Sequence, residues 1–221
     1  MKRFLLVLGT GLVLLSGVLT WFAEAQAPGV NSNFPVTWAL PNDSPKRTYS
    51  QAMANLVVAS SPTTYWQLCG SATSTVRVTR ITIGGRQTTA AHADFQLLKT
   101  STAATGGTIA SGQPFASAAV VGVPYDTGTA AGTALVTAWT ANPTVGTPVV
   151  TSAGWVWSGQ IFLGNLTTTQ SNAETIIDFG NHPGKAVVLR GAAQCLALSS
   201  AVGTGPGSGN LMDITEEWTE E

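Results

Sequence analysis

Cys69 and Cys195 are the only thiols in the chain, and between them they allow one covalent link. An even pair in an exported chain reads as a disulfide. It would close a loop of over a hundred residues, a constraint of roughly 4–5 kcal/mol in the chain-entropy account. The competing reading is two separately buried small hydrophobes. Each cysteine sits in an apolar, strand-like context, Trp66-Gln67-Leu68-Cys69 and Gln194-Cys195-Leu196-Ala197-Leu198. Sequence leaves both open, because it does not give the distance between the two positions.

Other chemistry is sparse. A zinc site needs several His, Cys or carboxylate ligands at short spacing, yet His92 and His182 stand far apart without clustered partners. His92 lies beside Asp94, where alternation puts both on one strand face; that could orient an imidazole, but a solvated face explains it as well. His182, in Asn181-His182-Pro183-Gly184, reads as a turn residue. A nucleophile elbow needs Gly-x-Ser-x-Gly after a strand; Gly205-Pro206-Gly207-Ser208-Gly209 puts its serine one position late and reads as a turn. Glycosidases need two carboxylates about 5–10 Å apart. Asp94, Asp126, Glu174 and Asp178 are the isolated candidates, while Glu216, Glu217, Glu220 and Glu221 read as a solvated acidic end. Calcium loops and phosphate-binding loops are absent, and Gly84-Gly85 and Gly106-Gly107 read as short turns. The expectation is a non-enzyme with no catalytic residue, no cofactor and no metal. Trp155 and Trp157, read as sharing one strand face, are the best pair for stacking on a sugar; two same-face aromatics on a sandwich strand are more often core.

The elements that would carry these residues are strands. Thr75 to Ile83 alternates, with Val76, Val78, Ile81 and Ile83 inward, and the change of phase after Val78 predicts a bulge near Thr79-Arg80. Gly84-Gly85 is expected to end that strand. Further strands are expected at 93–99, 132–141, 149–163 and 174–179, with a long one at 185–198 interrupted at Gly191. The Gly- and Pro-rich segment 203–210 predicts a hairpin between 193–200 and 211–219, the last strand presenting Met212, Ile214, Glu216 and Trp218 on one face. Residues 100–133 read as long loops with a short strand at 118–123, and residues 51–58 are the one stretch where a short helix fits. Strands at this spacing, divided by Gly, Pro and Asn turns, predict an all-β, antiparallel β-sandwich, jelly-roll-like, over residues 51–221.

Ahead of it, Met1-Lys2-Arg3, an apolar run from Phe4 to Phe22 and Ala23-Glu24-Ala25-Gln26-Ala27 have the layout of an export signal. Residues 1–25 are read as a signal peptide cleaved after Ala25, or as an N-terminal anchor, since the run is about long enough to span a bilayer. In both cases Lys2 and Arg3 stay cytoplasmic and the rest is exported. Residues 26–50 are an extended linker or a first strand. Nothing later in the chain is expected to cross a membrane. With a net charge of −1 there is no electrostatic footprint for nucleic acid. Only 10% of residues are charged, well under the usual quarter or so, so few like charges keep copies apart and a homo-oligomer is expected.

Leu68-Cys69-Gly70-Ser71-Ala72-Thr73-Ser74-Thr75-Val76-Arg77-Val78-Thr79-Arg80-Ile81 is similar to a phrase in uncharacterised virion structural proteins of tailed bacteriophages. The similarity continues in Gln96-Leu97-Leu98-Lys99-Thr100-Ser101, Val123-Pro124-Tyr125-Asp126, Ala138-Trp139-Thr140-Ala141-Asn142-Pro143 and Asp213-Ile214-Thr215-Glu216-Glu217-Trp218-Thr219. It covers most of the chain from about residue 54 onward, in phrases and not in one diagnostic motif. The resemblance implies a jelly-roll-type structural protein, a capsid-surface or fibre-type virion component located in the virion, that associates with itself or with other virion proteins. The signal and the tryptophans support the alternative, an exported carbohydrate-binding or adhesive module with surface glycans as partners.

Overall fold

A computed structural model of the chain describes residues 46–58, 64–110, 119–141, 143–150, 155–165, 174–180, 186–200 and 210–221. The apolar N-terminal run, His182 and the Gly205–Gly209 turn lie outside the described residues. The fold is all-β, a large mixed sheet curled over on itself. Its strands are β1 Arg47–Val58, β2 Trp66–Cys69, β3 Thr75–Gln87, β4 Ala91–Thr100, β5 Thr108–Ile109, β6 Val120–Val121, β7 Val123–Pro124, β8 Leu135–Ala141, β9 Trp155–Asn165, β10 Thr175–Asp178, β11 Val187–Arg190, β12 Cys195–Ser200 and β13 Asn210–Glu220.

One layer is centred on β13, which lies between β1 and β3, with β7 beyond β1. The far edge of β3 is shared in turn by β11 at 75–78, β10 at 80–83 and β9 at 86–87. The other layer runs β8-β2-β12-β4-β9. Two connections join the layers. On one side β9 pairs β4 and then, in parallel, β3, the departure from the antiparallel expectation. On the other, Val120 and Val121 pair with β8, and one residue later Val123 and Pro124 pair with β1. Gly122 makes that crossing, and a Cβ there would run into the Trp218 indole.

Alternation packs the interior. Val76, Val78, Ile81 and Ile83 are fully buried, and Thr79 is the extra residue of the expected bulge, since Arg80 pairs Glu217 while Val78 pairs Trp218. Facing them from the other layer are Trp66, Leu68, Phe95, Leu97, Leu196 and Leu198.

Four expectations are corrected. Residues 51–58 are strand, because Gln51, Met53 and Leu56 must pack inward beside β13. Gly84-Gly85 lies within β3; a Cβ on Gly85 would sit 2.5 Å from the Leu211 carbonyl, so the glycine permits close approach and does not end the strand. The 185–198 segment is two strands in different layers, divided at Gly191, whose φ of 76° is left-handed. The C-terminal hairpin does not form. β12 pairs β2 and β4, whereas β13 pairs β1 and β3, so the two strands lie in different layers; the residues between them lie outside those described.

Candidate functional site

β13 carries the least expected chemistry. Its inward face reads Met212, Ile214, Glu216, Trp218 and Glu220, so two carboxyl groups point into the protein and not into a solvated tail. Glu216 is 1% exposed. Its Oε1 accepts a 3.3 Å bond from Trp66 Nε1 across the layers, and its Oε2 has no hydrogen-bond partner. Gln51, directly opposite on β1, is buried too. Burial pushes the Glu216 carboxyl well above the usual carboxylate range, outweighing the Trp66 bond that favours ionisation.

A core acid whose pKa is raised has a pH signature. At low pH folded and unfolded chains are both protonated at Glu216 and the group costs nothing. Above its unfolded value of about 4.5 the unfolded chain ionises first, and stability falls until the folded pKa is passed. The expected slope is roughly 1–2 kcal/mol per pH unit. Glu216→Gln is therefore expected to leave the thermal midpoint near pH 4 little changed and to raise it at pH 7–8. Parallel melting profiles for both proteins across that range would contradict the assignment.

Glu220 is the opposite case. Its carboxylate accepts from Thr133 N (2.9 and 3.0 Å), Thr133 Oγ1 (2.6 Å), Ala134 N (3.0 Å) and Trp218 Nε1 (3.1 Å). Burial alone would raise its pKa, but the bonds from Thr133, Ala134 and Trp218 together hold it below the usual range. Ser71 extends the cluster, with Oγ 2.6 Å from Thr133 Oγ1 and accepting from the backbone of Thr73 and Ser74. Glu221 points outward to Lys46 (2.8 Å) and Arg77 (3.0 Å), which lower its pKa, and Glu217 lies 3.8 Å from Arg80. Glu217, Glu220 and Glu221 thus tie the end of β13 to its surroundings, while Glu216 is buried on a single bond.

The other sequence candidates are placed as follows. Cys69 and Cys195 form a disulfide with Cα atoms 4.0 Å apart. They are direct cross-strand partners on β2 and β12. The adjacent pair is joined by a bond from Gly70 N to Gln194 O, so the cysteines occupy the closer, non-hydrogen-bonded kind of site. His92 is exposed, its ring edge-on to Phe162, and Asp94 lies on the same outer side. Asp126 and Asp178 each accept from a glycine N–H two residues on, at 2.9 and 2.8 Å, and so cap turns. Among the described residues no group of three His, Cys, Asp or Glu is placed to hold a metal.

Trp155 and Trp157 do not share a face. Leu97 pairs Trp157 while Leu98 pairs Trp155, so Val156 is a bulge residue that puts the indoles on opposite sides. Trp155 is 54% exposed; Trp157 packs against the core, its ring over Gly159.

Sequence reasoning missed Asn55. It adopts φ 57° at the β1 register shift, donates its N–H to Asp213 Oδ1 (2.7 Å) and accepts from Arg86 Nη2 (2.6 Å). An asparagine inside an alternating run was the available signal, since it tolerates the left-handed region.

These polar groups rim a broad solvent-facing surface on the β1-β13-β3-β10 layer. Cross-strand pairing sets it in rows: Ser50-Glu217-Arg80-Asp178, then Ala52-Thr215-Thr82-Ile176. Ile176 is 59% exposed at one end of the second row and Ala52 is exposed at the other. Where a likeness to known proteins would bear on these groups there is none: no protein-family model, no curated protein and no solved structure matches the chain.

Proposed function

We propose that this chain is a non-enzymatic structural protein that self-associates, a phage-derived capsid-surface or fibre-type virion component of jelly-roll type. The observation that carries the reading is the four-strand outer face, a regular array of Thr, Ala and Ile with paired charges, in a chain only 10% charged. Such a face has little to repel a second copy. Of the carboxylates that could have served catalysis, Asp126 and Asp178 cap turns, and the resemblance of several phrases to tailed-phage virion proteins points to the same reading. Sedimentation velocity and light scattering on the full chain test it. A discrete oligomer is expected, and a strict monomer at high concentration overturns the proposal.

A second reading, an exported adhesive or carbohydrate-binding module, draws on the exposed Trp155 and on the disulfide, which is compatible with an exported protein. It lacks a two-indole platform, since Trp157 faces away. A glycan array on which the protein binds nothing removes this reading.

A further inference from the structure

We propose that the outer face of the β1-β13-β3-β10 layer is a docking surface for a second copy of the same face, related by a two-fold axis that runs along the strands midway between β13 and β3. The proposal rests on the self-association reading and names the surface that would carry it.

A two-fold axis parallel to the strands keeps every residue at its own level and exchanges strands laterally. β13 then lies over β3 of the second copy, and β1 over its β10. Each cross-strand row therefore meets itself reversed. In the first row Glu217 comes over Arg80 and Arg80 over Glu217, while Ser50 meets Asp178. The second row brings Thr215 over Thr82 and the small exposed Ala52 over the large exposed Ile176. In the third, Asp213 lies over Gly84, and Asn55 falls near Glu174, which flanks Gly84. No like charges oppose one another in these three rows. Charge and size are both self-complementary, as a closed isologous interface requires.

The perpendicular two-fold, lying across the strands along the Thr215-Thr82 row, fails the same test. It would bring Glu217 over Asp213 and Asp178 over Glu174, two repulsive contacts on one face. Of these two axes the charge pattern favours the one parallel to the strands. Stacked sheets pack about 10 Å apart with strands aligned to within roughly 30°. At that spacing threonine meets threonine, and one isoleucine fills the gap left by one alanine.

The decisive experiment exploits positions 52 and 176. Within one chain they are three strands apart, about 14 Å, so neither side chain reaches the other. Any coupling between them acts between copies. By sedimentation velocity on the full chain, Ala52→Ile alone is expected to raise the dissociation constant at least tenfold, because isoleucine then meets isoleucine. Ile176→Ala alone leaves two gaps and is also expected to weaken association. An equimolar mixture of the two variants restores one large and one small residue at both ends, and a mixed dimer of near wild-type affinity is expected. Arg80→Glu should weaken association, and Arg80→Glu with Glu217→Arg should recover it.

A wild-type oligomer untouched by all these changes overturns the proposal while leaving self-association standing; the exposed Val121, Val123, Tyr125 and Leu135 at the layer seam would then be the surface to test. Single variants that weaken association without recovery in the mixture overturn the two-fold register. A monomeric wild type removes the self-association reading and this one with it.

Discussion

Replacing Cys69 and Cys195 together by alanine is expected to lower the thermal midpoint by about 10–20 °C. The bond spans a sequence separation of 126 residues, and the chain-entropy account gives a link of that size about 5 kcal/mol. A chain of this length shifts by roughly 2–4 °C per kcal/mol. Because Cys195 is fully buried and Cys69 nearly so, a mild reductant should leave the folded protein oxidised and act only once the sheet opens. Titration of the native protein should therefore find no free thiol, and titration after denaturation with reductant should find two. A double-alanine variant within about 1 kcal/mol of wild type would mean that the unfolded chain is already as compact without the bond.

Glu220→Ala is expected to cost about 2–4 kcal/mol, since buried donors left without an acceptor cost about 1–3 kcal/mol each and part of the loss is recovered by relaxation. The loss strands the N–H groups of Thr133 and Ala134 and the Trp218 indole, all of which end on this one carboxylate. Glu220→Gln keeps the shape and one acceptor, so an intermediate loss is expected. The pH dependence separates charge from shape. A carboxylate whose folded pKa is lowered adds stability above its unfolded value of about 4.5, and that stability is lost as pH falls through the folded pKa. Wild type should therefore lose stability on acidification more steeply than Glu220→Gln. Equal acid limbs would show that Glu220 is not ionised in the fold. Glu221, also lowered by Lys46 and Arg77, is separable by making the comparison in a Glu221→Gln background.

The strands were legible wherever one face is buried. β3 announced its inward valines, isoleucines and bulge, and β13 announced its alternation. That same alternation put Glu216 among Met212, Ile214 and Trp218. The error was to let residue type override phase and read the acid as solvated. Partner choice was not legible. The Gly-rich run before Asn210 looks the same whether the chain doubles back or crosses to the other layer, and only the fit of β13 between β1 and β3 decides it. The tryptophan pair failed for a local reason: the bulge at Val156 is set by β4 and leaves no mark in the spacing of Trp155 and Trp157.

The pairing of Arg47 with Glu220 joins the first described strand to the last. Loop closure over most of the described chain must precede those contacts, and sheets dominated by such distant pairings fold slowly. β1 and β3 stay apart until β13 is placed between them. β13 is therefore the keystone of its layer, and a truncation that removes it should leave a chain that never acquires cooperative unfolding at all.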